Sequence, residues 1–229
     1  MNFDAIAVSV ALVRERIARA AERAGRNPQE ITLVAVSKTF PAQAIRDAFL
    51  AGVHHFGENR VQEWESKAPD LSSVDAIWHL VGHLQSNKVR RAAALFDRID
   101  SVDSFPLARR LDVAAAELAK TLPVLIEVKL DPEPGKSGAD PANLITLAES
   151  VLTLPNLNLR GLMTIPPFLD DPEQVRPYFR KLRALCDAAA HHLGRHLPEL
   201  SMGMSHDFEV AIEEGATQVR LGTAVFGPR

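Results

Sequence analysis

Cysteine is nearly missing from this chain of 229 residues, where Cys186 stands alone. A single cysteine excludes a disulfide framework and a cysteine-rich metal site. Tyrosine is equally scarce: Tyr178 is the only one, so at most one phenol is available as an acid or base. No apolar run approaches the ~20 residues needed to cross a bilayer as a helix. The formal net charge of −3 leaves no broad basic surface for nucleic acid. The opening "MNFDAIAVSVALVRERIARAAERAGRN" has an acid near its start and arginines inside its apolar pattern. It reads as an amphipathic helix and not as a secretory signal. No glycine–serine linker, fixed-period repeat or low-complexity tract divides the chain, so residues 1–229 read as a single domain. These absences suit a soluble protein of the reducing cytoplasm, with no membrane or nucleic-acid partner expected.

What is present is an alternation. Hydrophobic residues make up 46% and charged residues 24%, ample for a globular core. Short apolar runs recur at 31–36, 53–58, 76–82, 98–102, 123–130, 157–165, 200–205 and 217–222. Helical patterns lie between them, the longest over about 173–193. Short hydrophobic strands joined by crossover helices imply parallel pairing. Eight such units predict a closed (β/α)8 TIM barrel with an extra N-terminal helix, ahead of a doubly wound open sheet.

In such a barrel the chemistry gathers at the carboxyl ends of the strands. Lys38 stands after the first strand, in "LVAVSKTFP". Asn59 follows the second and His79 lies on the third. Glu127 and Lys129 lie on the fifth, and Met163 on the sixth. Ser205 follows the seventh, Arg220 lies on the eighth, and Gly222 and Thr223 come directly after it. Two pieces suit a phosphate. Ser205 is expected to open a helix, where free N–H groups and the helix dipole favour an anion. Gly222 permits close backbone approach, and Thr223 offers a hydroxyl. "GKSG" at 135–138 is not a P-loop, because it lacks the earlier glycine and the strand-to-helix context.

A lysine amine at the mouth of a barrel can form a Schiff base with an aldehyde. If that aldehyde belongs to pyridoxal 5′-phosphate (PLP), the phosphate would dock at strands seven and eight. Arg220 would then face the pyridine nitrogen. A permanently charged arginine there favours an unprotonated nitrogen and a weaker electron sink.

Taken together, "LVAVSKTFP" (33–41), "FGENRVQE" (56–63), "WHLVGHLQSNK" (78–88), "DSVDS" (100–104), "KSG" (136–138), "GLMTI" (161–165) and "GMSHDFEVAIEEGATQVRLGTAVFG" (203–227) resemble one family. It is the pyridoxal phosphate homeostasis protein family, similar in turn to the barrel domain of alanine racemase. The resemblance spans nearly the whole chain. It implies a PLP aldimine on Lys38, a phosphate held by Ser205, Gly222 and Thr223, and Arg220 at the pyridine nitrogen. Asn59, His79 and Met163 are implied as neighbours of the cofactor. It implies cofactor binding and supply in vitamin B6 homeostasis without catalytic turnover, with PLP-dependent apo-enzymes as candidate recipients and a monomeric state. A racemase-like enzyme acting on amino acids is the alternative. Two-base racemisation needs a second acid or base opposite the lysine. In the racemases a tyrosine from another domain supplies it, whereas this chain's last residue, Arg229, comes just past the eighth strand.

Blander readings stand beside these. Lys38 alone would be a solvated loop lysine, Ser205 an N-cap, Arg220 an ion-pair residue, Gly222 a turn glycine and Thr223 a loop hydroxyl. His79 could equally be a core histidine, Asn59 a helix cap and Met163 simple packing. Lys129 and Lys136 read as solvated rather than as secondary amines that receive PLP. The arginines at 14, 16, 19, 23 and 26 read as a solvated helix face. The pairs His54–His55 and His191–His192 lack a third ligand at useful spacing, so no metal site is expected.

Overall fold

The apolar runs become eight parallel strands in the computed structural model, which describes residues 3–131, 133, 135 and 137–228. They are β1 (Thr32–Val36), β2 (His55–Glu58), β3 (Ile77–Leu80), β4 (Arg98–Val102), β5 (Leu122–Glu127), β6 (Leu157–Met163), β7 (Glu199–Ser201) and β8 (Gln218–Leu221). Each pairs with the next in chain order, and β8 pairs with β1 to close the barrel. This is the architecture expected from the alternation, not an open sheet. The helices are α1 (Phe3–Arg23), α2 (Ala42–Leu50), α3 (Val61–Lys67), α4 (Val89–Leu95), α5 (Phe105–Glu117), α6 (Leu144–Leu152), α7 (Arg176–Leu193), α8 (Phe208–Glu213) and α9 (Thr223–Phe226).

Several boundaries differ from the sequence reading, and three of them have a clear local reason. The seventh strand is short because the chain bends at Gly203 (φ 94°), where a Cβ would lie 2.6 Å from that of Ala211. The long helix begins at Arg176 because Pro172–Val175 form a tighter 3-10 turn, capped by the Asp171 side chain. The segment expected as a helix from residue 86 likewise opens with a 3-10 turn before α4.

α1 buries a stripe of Ile6, Val10, Val13, Ile17, Ala20 and Ala21, spaced three to four residues apart as a helix face requires. Its basic residues are more than a solvated face. Arg16 pairs with Glu209 at 3.0 Å and stacks over the Phe208 ring, and Arg23 pairs with Glu213 at 2.8 Å. Arg26, just past the helix, donates to the carbonyls of Ile212 and Ala216, and Arg14 donates to that of Gly52. Of the five arginines named above, Arg19 is the one whose partner, Glu15, lies within α1 itself. The acidic face of α8 explains Arg16 and Arg23: an arginine near fixed carboxylates gains charge-assisted hydrogen bonds that water does not match.

At the amino ends of the strands, the barrel floor is polar. Arg98 and Arg160 both pair with Glu199, and the Gln218 amide donates to Glu199 at 2.7 Å. Above them His79 is fully buried. Its Nδ1 lies 2.7 Å from Asp100, and its Nε2 lies 3.0 Å from His55 Nδ1. Burial, with the neighbouring His79 and Arg98, drives the His55 imidazole down to about 4. Among the described residues no helix is long and apolar enough to cross a membrane, and no group of three or more His, Cys, Asp or Glu side chains is gathered for a metal.

Candidate functional site

The carboxyl ends of β1, β2, β5, β6, β7 and β8 build a polar mouth. Lys38 is half-buried in the turn that follows β1. That turn is held from three sides. The Ser37 hydroxyl donates to Glu58 at 2.7 Å. The Lys67 ammonium donates to the Ser37 carbonyl at 3.0 Å, to Glu58 at 3.1 Å and to Glu63 at 2.8 Å. Glu63 also accepts the Thr39 N–H. Thr39 takes a left-handed φ of 69°, a conformation that costs a β-branched residue about 1–3 kcal/mol. Phe40 then stacks on Phe226 of α9, with centroids 4.9 Å apart.

The same β1–β8 seam brings the expected phosphate residues beside this turn. Val34 is in register with Arg220 and Ala35 with Leu221. A Cβ on Gly222 would come 3.5 Å from the Val36 carbonyl oxygen and, its chain neighbours aside, meet no other described residue within 4 Å. Gly222 has φ −101°, which any residue adopts, so neither the backbone nor its neighbours require a glycine there. Ser205 does not open a helix as expected. Asp207 is the N-cap of the short α8, and Ser205 lies in the turn before it. Its hydroxyl instead accepts the Ala224 N–H at 3.2 Å. The contact joins the turn after β7 to the start of α9, so Ser205, Gly222 and Thr223 come together through a link no local pattern predicts.

Arg220 is buried beneath them. One guanidinium nitrogen donates to the Ser201 hydroxyl and another to the Thr164 carbonyl, both at 2.7 Å. Burial lowers its pKa, against the pull of Asp100, Glu127 and Asp207. Glu127, at the end of β5, carries a buried Oε2 with no hydrogen-bond partner among the described residues. Burial pushes its carboxyl up to about 7, opposed by Arg220 and reinforced by Asp103. Sequence reasoning noted Glu127 at this end of the barrel without giving it a role; its signal was a lone acid on an apolar strand.

Met163 ends β6, fully buried between Glu127 and Ser201 in register. His79 lies deeper, in the interior chain described above. Asn59 does not cap α3, since Arg60 is the N-cap. It lines a cleft of about 860 Å³ with Arg60, Glu63, Gly82, His83 and Lys88. Lys129 is half-buried, and Lys136 lies outside the described residues. Tyr178 sits on α7, partly buried against the outer layer of the core.

The closed barrel with a lysine, an arginine and a glycine-lined seam at its mouth defines a class: the barrel of the alanine racemase type. The family described as "Alanine racemase, N-terminal domain" matches residues 8–229. Alanine racemase from Clostridium difficile shares the fold at 13% identity, with a TM-score of 0.76 over 100% of this chain and 58% of that one. More narrowly, the chain belongs to the pyridoxal phosphate homeostasis protein family. It is 49% identical to the pyridoxal phosphate homeostasis protein of Aquifex aeolicus over 95% of each chain. It is 47% identical to that of Escherichia coli, over 98% of this chain and 97% of the other. Among solved structures, PipY of Synechococcus elongatus with PLP bound is 42% identical, with a TM-score of 0.87 over 97% of this chain and 100% of that one.

Proposed function

We propose that this protein binds pyridoxal 5′-phosphate and serves intracellular vitamin B6 homeostasis as a carrier or regulator without catalytic turnover of its own. The carrying observation is the seam at the mouth. Gly222 lies against Val36, two residues before Lys38, its missing side chain required by no described neighbour, and Ser205 is tied to the start of α9 beside it. A space that a Cβ would fill, next to backbone N–H groups and two hydroxyls, fits a phosphate. The names of the relatives above and the PLP bound to PipY favour the same ligand.

In this reading Lys38 supplies the amine for a covalent aldimine, and Ser205, Gly222 and Thr223 hold the phosphate. Arg220, fixed by Ser201 and Thr164, keeps a positive charge facing the pyridine nitrogen and so disfavours its protonation. Met163, Asn59 and His79 are neighbours of the cofactor. The cofactor supplies an exchangeable aldehyde; the chain orients it and keeps its phosphate anchored. PLP-dependent apo-enzymes are the proposed recipients. The chain 1–229 acts as one domain, as a monomer and in the cytoplasm. The racemase-like alternative is disfavoured because Tyr178, the only phenol, lies on the barrel's outer layer.

A spectrum tests the reading. Purified protein given PLP is expected to absorb in the visible as an aldimine, and Lys38→Ala is expected to abolish the band. A protein that stays colourless with PLP refutes PLP binding at this lysine. Rapid racemisation of amino acids by the loaded protein refutes the carrier role.

A further inference from the structure

Lys67 has no place in the reading above, yet it is the most connected cation near the mouth. Its ammonium meets the Ser37 carbonyl and the carboxylates of Glu58 and Glu63, all within 3.1 Å. Those carboxylates in turn hold the Ser37 hydroxyl and the Thr39 N–H. The two residues that flank Lys38 are therefore gripped, one at its carbonyl and hydroxyl, the other at its N–H. The grip comes from the end of β2 and from α3, in addition to the turn's own bond from Phe40 to Ser37.

We propose that Lys67, with Glu58 and Glu63, is a positioning clamp that presets the Lys38 turn for capture of an aldehyde.

Three features support this. The turn is closed by its own bond from the Phe40 N–H to the Ser37 carbonyl at 3.1 Å, but local preference alone does not set its shape, because Thr39 stands at φ 69° without being a glycine. An outside partner must over-determine such a conformation. The clamp is also electrostatically matched. Burial works against the charge on Glu63, but hydrogen bonds from Lys67 and Thr39 and the charge of Lys67 hold its carboxyl below the usual range. Burial raises the pKa of Glu58, and Lys67 and the Ser37 hydroxyl counter it. Finally, the ammonium is itself mostly enclosed, with 13% of the Lys67 side chain exposed. A surface lysine tying down a loop would keep its head in water.

The inference rests on the assignment of Lys38 as the aldehyde-binding amine. Its test compares two ligands of one shape: PLP, and pyridoxine 5′-phosphate, which has no aldehyde. A clamp acts on the amine and not on the phosphate seam. Lys67→Met and Glu63→Gln are expected to weaken PLP capture by about tenfold to a hundredfold, the range that small misplacements of a reacting group produce. Capture is read by visible absorbance and by borohydride fixation mapped to Lys38. Binding of pyridoxine 5′-phosphate should hold within about twofold, and Lys67→Arg, which keeps the charge, should restore most of the capture. Lys67→Met leaves Glu58 buried beside no cation, so the pair Glu58→Gln/Lys67→Met serves as the variant without an orphaned charge. Equal loss of both ligands would mean that the clamp only supports the fold, and unchanged PLP capture in Glu63→Gln and the double variant would remove its positioning role. A wild-type protein that never fixes PLP on Lys38 refutes the underlying assignment, and this inference with it. That result is distinct from a loaded wild type whose variants behave alike.

Discussion

The two ends of this barrel use the same residue types for opposite ends. At the floor, arginines and acids meet each other: Glu199 alone receives Arg98, Arg160 and Gln218. At the mouth, beside the Lys67 ion pairs with Glu58 and Glu63, charges also meet hydroxyls and backbone. Arg220 gives its donors to Ser201 and the Thr164 carbonyl; among the described residues, buried polar atoms without a hydrogen-bond partner occur at both ends, on Glu58 and Glu127 towards the mouth and on Arg98, Asp100 and Gln218 towards the floor. Glycine shows the same contrast. A Cβ on Gly161, at the floor, would fall 1.8 Å from the Glu199 carbonyl, so packing excludes any side chain. Gly222, at the mouth, is under no such pressure. Packing explains the floor glycine; it does not explain the mouth glycine, whose open space is what the proposed cofactor would use.

The largest expected effect breaks the floor. Arg98→Met leaves Glu199 and Asp100 short of a buried cation and should destabilise by about 3–5 kcal/mol, measured by denaturant unfolding. The folded fraction should bind PLP with unchanged affinity; a parallel loss of affinity would mean that floor and mouth are not separable.

Glu127→Gln comes next and acts at the mouth. Its folded pKa of about 7 lies above the usual carboxylate value, so the folded state holds the proton more tightly. Its contribution to stability is present in acid and is lost as pH rises from about 4.5 to 7. The glutamine variant should therefore match the wild type near pH 4.5 and gain on it by up to about 3 kcal/mol at pH 8. Unfolding curves at both pH values, taken without PLP, check this. A constant difference would place the titration elsewhere.

Gly222→Ala should have the smallest effect on stability, within about 0.5 kcal/mol, because the φ is ordinary and the nearest atom is 3.5 Å away. PLP binding should nonetheless weaken by about tenfold, a loss of 1.4 kcal/mol, as the methyl takes up phosphate space. Full affinity in this variant would break the comparison between the two glycines.

Much of this was legible beforehand. Long, regular signals read well: the eight apolar runs, the α1 stripe, and the order of motifs from Lys38 to Thr223. Ser205 was read as sharing a phosphate with Gly222 and Thr223 and as a helix opener; the second reading fails, because "GMSHD" looks like a cap while the hydroxyl's contact is with Ala224, nineteen residues on. Arg16 and Arg23 of α1 were read as solvated because their partners on α8 lie some 190 residues away. Glu58, Glu63 and Lys67 had no reading, since nothing in "GENRVQEWESK" says that it folds back onto residue 37.

The sequence by itself determined the alternation of strand and helix, the parallel barrel that follows from it, and which residue types stand at the strand ends. These rest on local periodicity and on steric rules that hold for every residue in turn. Only the tertiary structure decided which of those side chains are satisfied and which are left facing space. Closing β8 onto β1 sets Gly222 against Val36 and α9 against the Lys38 turn. Such pairings join residues far apart in the chain, and their energies depend on burial and distance, which exist only once the ring is shut.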